Sequence, residues 1–186
     1  MKKVLVISGH TDLKNSTANA AILAELAKKL PDAEIRKLDE LYPTYDFDVA
    51  AEQAALEKAD VIVFQFPFHW YSVPGLLKLY IDKIFLHSWA YGSKGKALVG
   101  KKLIFSVTIG APESLYKKDA DFHHEPPEFG YFLEQFAQLC NMTSAPMIYS
   151  CGMMYVPGVS PDSAKAEVID KAKAQAQRVV EAIENA

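Results

Sequence analysis

The sequence predicts an α/β protein: one parallel sheet of five strands with helices on both faces. Three observations predict it. Apolar runs of strand length alternate with segments of helical periodicity along the whole chain. The runs are nearly continuous in apolar residues, as strands covered on both faces require. No repeat, low-complexity tract or linker interrupts the alternation.

Each element has a local reason. Residues 4–7 (VLVI) are a short β-branched run, the first strand. Residues 16–30 carry apolar side chains at Ala20, Leu23, Ala24, Ala27 and Leu30, a helical stripe that Pro31 closes. Residues 34–38 read as a second strand, and residues 47–59 as a helix that Asp46 or Asp48 can cap. Residues 61–66 are another buried strand, followed by a helix over 75–86 with Pro74 at or near its first turn. Residues 101–108 form the next strand. Residues 128–140 read as a helix with Phe129, Phe132, Leu133 and Phe136 on one face, and residues 147–150 as the last strand. Ser160 reads as the N-cap of the final helix, with Pro161 at its first position. Its stripe runs through Val168, Ile169, Ala172, Ala176, Val179, Val180 and Ile183.

Five strands in this alternation fit the flavodoxin-like three-layer α/β/α arrangement, order 2-1-3-4-5. Ligands in such sheets bind at the carboxyl ends of the strands, where the strand order reverses. The loops after strands 1, 3 and 4 are therefore the candidates for chemistry.

The 186 residues fit one domain, 1–186. Half are hydrophobic, 23% are charged and the net charge is -3, values of a globular chain not adapted to a polyanion. There is no basic stripe for nucleic acid, and no Lys/Arg cluster beside an amphipathic helix for a membrane surface. Cys140 and Cys151 stand in neither C-x-x-C nor zinc-ligand spacing, and so few thiols point to a reducing compartment. The start, MKKVLVISGH, has no signal-peptide core, and no stretch reaches the roughly 18 apolar residues of a membrane span. A cytoplasmic protein without direct membrane insertion is expected.

After the first strand comes SGHTDLKNSTANAAI, which has neither the Rossmann nor the P-loop glycine pattern. A hydroxyl-rich turn at Ser16, Thr17, Ala18 and Asn19 enters a helix instead. Its free backbone amides and hydroxyls can hold a phosphate without a lysine; the alternative is an ordinary N-cap. After the third strand come Phe68, His69, Trp70 and Tyr71, bulky aromatics where a polar turn would be usual. They either plug the space under the next helix or wall a ligand slot opposite Thr108, Ile109, Gly110 and Ala111 after the fourth strand. A phosphate cradle beside a flat slot fits a flavin mononucleotide. Neither the histidines nor the acids show metal-ligand spacing, so no metal is expected.

FPFHWYSVPGLLKLYIDKIF, HSWAYGSKGKALVGKKL and VTIGAPESLY, in this order and spacing, closely resemble the flavodoxin-like NAD(P)H:quinone oxidoreductase family. Bacterial ancillary proteins of glutathione-gated potassium efflux systems look nearest. The resemblance implies FMN as cofactor (FAD is the alternative), NAD(P)H as co-substrate, a quinone as acceptor and two-electron ping-pong transfer. His10 and residues 16–19 match the flavin phosphate and ribityl loop, and residues 68–71 match the stretch along the isoalloxazine edge. Residues 108–111 match the second flavin loop, usually Thr-Thr-Gly-Gly, and here lose one hydroxyl and one glycine. Tyr116 matches a tyrosine that hydrogen-bonds the flavin and works with a nearby histidine, for which His123 and His124 are the candidates; the alternative for both is a solvated loop pair. Trp89 and Tyr91 match aromatics that reach over the neighbouring subunit's flavin, which implies a homodimer. A potassium-efflux transporter is the further partner implied.

Two other readings share the architecture. A flavodoxin-type electron carrier binds flavin without catalysis, but is normally far more acidic and lacks the excursion over residues 89–100. A regulatory flavoprotein subunit docked on a transporter is compatible with enzymatic activity. A phospho-acceptor receiver domain is rejected, because Gln65 and Phe66 stand where the acceptor aspartate would be.

Overall fold

Strands covered by helices on both faces must be apolar in both directions, and the central ones are. The computed structural model describes residues 2–186. Its strands are β1 (Val4–Ser8), β2 (Glu34–Lys37), β3 (Val61–Pro67), β4 (Lys102–Thr108), β5 (Thr143–Ser144) and β6 (Ile148–Ser150). Its helices are α1 (Thr17–Lys29), α2 (Leu38–Leu41), α3 (Val49–Lys58), α4 (Gly75–Ile84), α5 (Tyr131–Leu139) and α6 (Asp162–Glu184). Every residue of β1 and β3 is buried, and all of β4 after Lys102.

The sheet is parallel, in the order β2-β1-β3-β4-β5, with β6 also paired to β4. The two-residue alternation of a strand sorts its side chains between two cores. Val4, Val6, Val61, Val63 and Ile104 pack under α1 and α6, against Ile22, Leu26, Ala172 and Val179. Leu5, Ile7, Ile62, Phe64 and Phe105 face α3, α4 and α5, against Leu56, Leu77, Tyr80 and Leu133. No helix among the described residues is long and apolar enough to cross a membrane.

The expected order 2-1-3-4-5 is present, with one departure: its fifth position holds two short pieces instead of one strand. Lys102 and Leu103 pair Thr143 and Ser144, whereas Ser106 to Thr108 pair Ile148 to Ser150. Between Leu103 and Ser106 β4 advances three residues while its neighbour, from Ser144 to Ile148, advances four. The extra residue and Pro146, which has no N–H to give the ladder, break the strand.

Helix starts differ in instructive ways. Asp48, one of the two expected caps, accepts from the Ala51 N–H at 3.0 Å. Ser160 does not cap α6; its Oγ accepts from the Val156 N–H at 3.0 Å, closing the preceding loop, and Pro161 takes the N-cap position. The segment expected as one helix over 128–140 begins as a 3₁₀ turn, Pro126–Gly130, before α5. That change of pitch rotates Phe132 out of the anticipated face to 42% exposure, while Leu133 stays buried.

One buried carboxylate binds the α3–α4 side together. Glu52 on α3 is fully buried and accepts from both Nε and Nη2 of Arg36 on β2, from the Tyr42 hydroxyl, and from the Tyr80 hydroxyl of α4 at 3.0 Å. Burial, with Glu52 beside it, pushes the Tyr80 phenol well above its ordinary range, and the Glu52 hydrogen bond raises Arg36. Removing one partner of such a pair strands a charge in low dielectric. Arg36→Met is therefore expected to destabilise the fold by about 3–5 kcal/mol in urea denaturation. A loss of about 1 kcal/mol or less, as for an exposed ion pair, would show that the cluster does not bind these elements.

Candidate functional site

A parallel sheet brings all its strand carboxyl ends to one edge, so the loops after β1, β3 and β4 meet there. They enclose two adjoining pockets of about 300 and 230 Å3 that share Phe68 as a wall.

The first pocket is built on the start of α1. Ser16 has extended backbone and is the N-cap, its Oγ accepting from the Asn19 N–H at 3.2 Å. The Thr17 and Ala18 amides ahead of it have no partner among the described residues, so the helix offers donors and the positive end of its dipole to the pocket. Asn19 lies behind them, 2% exposed, with Nδ2 donating to Ser16 Oγ at 3.2 Å and Thr108 Oγ1 at 3.0 Å. His69 and Gly110 complete the wall. Burial lowers the His69 pKa, which favours the neutral ring at pH 7.

The second pocket is aromatic: Phe68, Trp70, Tyr71, Tyr116 and Phe122, with Ala111. Its rings brace one another. Tyr71 stacks on Phe129 at 5.3 Å between centroids, Phe68 meets Phe129 at 5.4 Å, and Tyr116 meets Phe122 edge-on at 4.9 Å. Tyr116 is 5% exposed, its hydroxyl has no partner among the described residues, and burial raises its pKa.

The aromatic loop is a two-residue hairpin turn. His69 and Ser72 exchange both main-chain hydrogen bonds, at 3.1 and 3.0 Å, and the two residues between them have positive φ: Trp70 at 50° and Tyr71 at 61°. Such turns normally hold Asn-Gly, because φ > 0 crowds a Cβ. Bulky residues in this region are strained by roughly 1–3 kcal/mol each. Trp70 gains little packing in return, being 94% exposed at the pocket rim.

Other expected site residues fall elsewhere. His10 lines neither pocket; its Nδ1 accepts from the Asp12 N–H at 2.9 Å and its ring meets His69 edge-on at 6.1 Å. Burial first, then His69, lowers its pKa, while Asp39 and Asp12 oppose the shift. Ile109 is turned into the core at 1% exposure, its N–H donating to the Ser150 carbonyl and its carbonyl accepting from the Met153 N–H, so it presents nothing to a ligand. His123 is exposed and outside both pockets, with φ of 56° and Nδ1 3.4 Å from the Lys118 carbonyl oxygen. His124 is exposed and pairs with Glu128 at 3.1 Å. Neither histidine thus lines the pocket that Tyr116 walls. Nor do Trp89 and Tyr91 lack local cover. The Trp89 indole donates to Glu57 at 2.7 Å and packs on Phe85, while Tyr91 packs on His87, and neither lines the pockets.

Sequence reasoning missed Met153, Met154 and Tyr155, which close the first pocket from the loop after β6. The signal was available, since that loop leaves the same carboxyl edge. A larger cavity of about 630 Å3 runs along the outer side of β6. Its two cations cover the free strand edge: Arg178 donates to the Tyr149 carbonyl at 2.6 Å and Lys171 to that of Cys151 at 3.2 Å. Burial pushes its one thiol, Cys151, up to about 11, so it holds no reactive thiolate at neutral pH.

Residues 2–180 match the model of the family described as Flavodoxin-like fold, and the chain belongs to that family. Among solved structures it is similar to general stress protein 14 of Treponema denticola, in complex with FMN, with 30% identity, 97% of this chain and 98% of that one covered, and a TM-score of 0.85. It is also similar to a chain described as a thermophilic tryptophan halogenase from Streptomycin violaceusniger, with 33% identity, 92% and 96% covered and a TM-score of 0.79. A third is a protein described as an NADPH-quinone reductase from P. pentosaceus, with 25% identity, 94% and 97% covered and a TM-score of 0.76. These descriptions share a fold and not an activity, so function has to be argued from the site.

If the turn stores strain for the sake of the pocket, relieving it stabilises the ligand-free protein. Trp70→Asn, which suits φ > 0 and removes almost no packing, is expected to raise stability by about 1 kcal/mol in thermal denaturation. No gain would mean that the turn is not strained.

Proposed function

We propose that the protein is an FMN-dependent oxidoreductase that takes a hydride from NAD(P)H and passes two electrons to a quinone. The observation that carries this reading is the shared wall: an anion-receiving helix start and a flat aromatic pocket meet at Phe68. The donor set fits the cofactor. No acidic side chain lines the first pocket to repel a phosphate, and the Thr17 and Ala18 amides are free to bind one. The FMN-bound similar structure and the one described as a quinone reductase support the same assignment.

When bound, the flavin would supply the hydride acceptor and the two-electron store. The chain supplies the rest. Residues 16–19 hold the phosphate end, and Phe68 and Gly110 border the path to the aromatic pocket. At about 230 Å3 that pocket has room for one flat ring, as the isoalloxazine needs. Tyr116, buried and protonated, offers its O–H to negative charge developing there. The similar structure described as an NADPH-quinone reductase favours the enzymatic reading over a pure electron carrier.

The test begins with purified protein titrated with FMN, where quenched flavin fluorescence reports binding, followed by anaerobic mixing with NAD(P)H and then a quinone. Tyr116→Phe should keep the fold and the flavin but slow its reduction about tenfold, or about 1.4 kcal/mol of barrier. Failure to bind flavin, or flavin left oxidised by both nucleotides, would overturn the reading; unchanged reduction in Tyr116→Phe would overturn only the tyrosine's role.

A further inference from the structure

The cavity along the outer side of β6 shares no lining residue with the two pockets of the candidate site and is larger than either, at about 630 Å3. Small-molecule sites usually measure roughly 300–1,000 Å3. A free strand edge normally offers donors and acceptors in alternation, a template for a further strand. This edge does not. Ile148 and Ser150 face β4, where the Ser150 carbonyl accepts from the Ile109 N–H at 2.9 Å. Tyr149 and Cys151 face outward, and both of their carbonyls are occupied, the first by Arg178 and the second by Lys171. In an extended strand the N–H of a residue points to the same side as its C=O, so the Tyr149 N–H is turned outward too. The Cys151 N–H has no partner among the described residues. The edge keeps its donors and has lost its acceptors.

The side chains add more donors. Arg178 uses its Nη2 on the Tyr149 carbonyl at 2.6 Å and on Ser150 Oγ at 2.9 Å, which leaves Nε and Nη1 free among the described residues. Lys171 uses one of its three hydrogens, on the Cys151 carbonyl at 3.2 Å. Neither cation forms an ion pair among the described residues, not even with Glu113, the one acid of the wall. Gly152 lets the ammonium come in. Its φ is 67°, and a Cβ there would lie 2.8 Å from Lys171 Nζ, so a side chain at this position would push the cation away from the main chain. Two cations against one acid leave one positive charge of the wall unbalanced. Beside them the wall is apolar, formed by Pro112, Pro146, Met147 and Ile148.

We propose that this cavity is a second ligand site, which takes a small organic monocarboxylate. Arg178, Lys171 and the Tyr149 and Cys151 main-chain amides bind the carboxylate, and the apolar body lies against Pro146, Met147 and Ile148. A carboxylate only accepts hydrogen bonds, and an acceptor is what this edge lacks. A peptide strand would need the carbonyls that the two cations occupy, so the edge is closed to strand addition. A phosphate dianion carries more charge than the wall leaves unbalanced, and it would face Glu113. Protection of the edge accounts for the two cations. It does not account for their lack of an acid partner, or for the hollow apolar wall beside them.

Isotope-labelled protein titrated with benzoate and followed by amide NMR tests this, with benzyl alcohol and inorganic phosphate as controls. Benzoate should shift the Tyr149 and Cys151 amide signals in a saturable way. Benzyl alcohol, the same body without the charge, should leave them in place, and phosphate should bind about tenfold more weakly than benzoate. Arg178→Met and Lys171→Met keep much of each apolar stem, and each should weaken benzoate about tenfold. No saturable shift at these two amides would overturn the proposal, as would shifts confined to Phe68 and Tyr116, the mark of benzoate in the aromatic pocket. Benzyl alcohol or phosphate binding as tightly as benzoate would overturn the ligand class. Benzoate affinity unchanged in both variants would show that the cations only cover the edge, and the proposal would fall. If Arg178→Met does not fold, Lys171→Met, which alters an exposed side chain, decides alone.

Discussion

The side-chain amide of Asn19 has one acceptor and two donors, and it faces a different element with each. It joins α1 to β3 through Gln65, to β4 through Thr108, and to its own helix start through Ser16. A sheet covered on both sides leaves little room for such groups, because every polar atom brought inside must be satisfied there. The first turn of α1 is thereby fixed relative to the two strands whose loops form the rest of the site. Precision in the first pocket follows from a hydrogen-bonded layer just beneath it, not from the loops alone.

The opposite side of the sheet does a complementary job. Glu52 holds β2, α3 and α4 to one point, and α4 begins immediately behind the strained turn, after buried Val73 and the N-cap Pro74. Two residues in the left-handed region persist only where their surroundings determine them. Here the His69–Ser72 hydrogen bonds close the turn on one side, and the anchored helix fixes where the chain must go next. Stability gathered at a buried charge cluster thus supports strain at the aromatic rim. The cluster's Tyr80 lies on the helix that follows the turn, which is why one can bear on the other.

Much of this was legible in the sequence, because the physics that formed it is local. The runs at 61–66 and 101–108 announce buried strands, and Asp48 announces its helix. The turn at residues 16–19 and the aromatic loop could be picked out from their chemistry at the carboxyl ends of strands, and both line the pockets there. What escaped has non-local causes. Pro146 hints at a break in the last strand, but the register slip that splits it depends on β4. The positive φ of Trp70 and Tyr71 is invisible because neither residue type signals it. A Ser-Pro pair looks the same whether the serine caps the helix ahead or, like Ser160, closes the loop behind. His123 stands a plausible number of residues after Tyr116, yet distance along a loop carries no direction, and the imidazole faces the Lys118 carbonyl.

The placement of His123 bears on the chemistry under the proposed activity. Among the described residues no acid, lysine or arginine lines either pocket, so charge developing there would meet neutral donors: the Tyr116 phenol, hydroxyls and main-chain amides. A fixed cation beside the aromatic pocket would hold an anionic product as firmly as it stabilised the transition state, and binding both alike does not accelerate a reaction. Neutral donors in an aromatic setting respond instead to charge as it forms, and exert less hold on a product that takes up a proton and departs. An acceptor that enters flat and neutral, gains two electrons and leaves as a neutral hydroquinone suits that environment. An acceptor that arrives as an anion would meet no cationic side chain in the aromatic pocket. Under that proposal, the aromatic wall and the buried phenol would restrict the acceptor by charge as well as by shape.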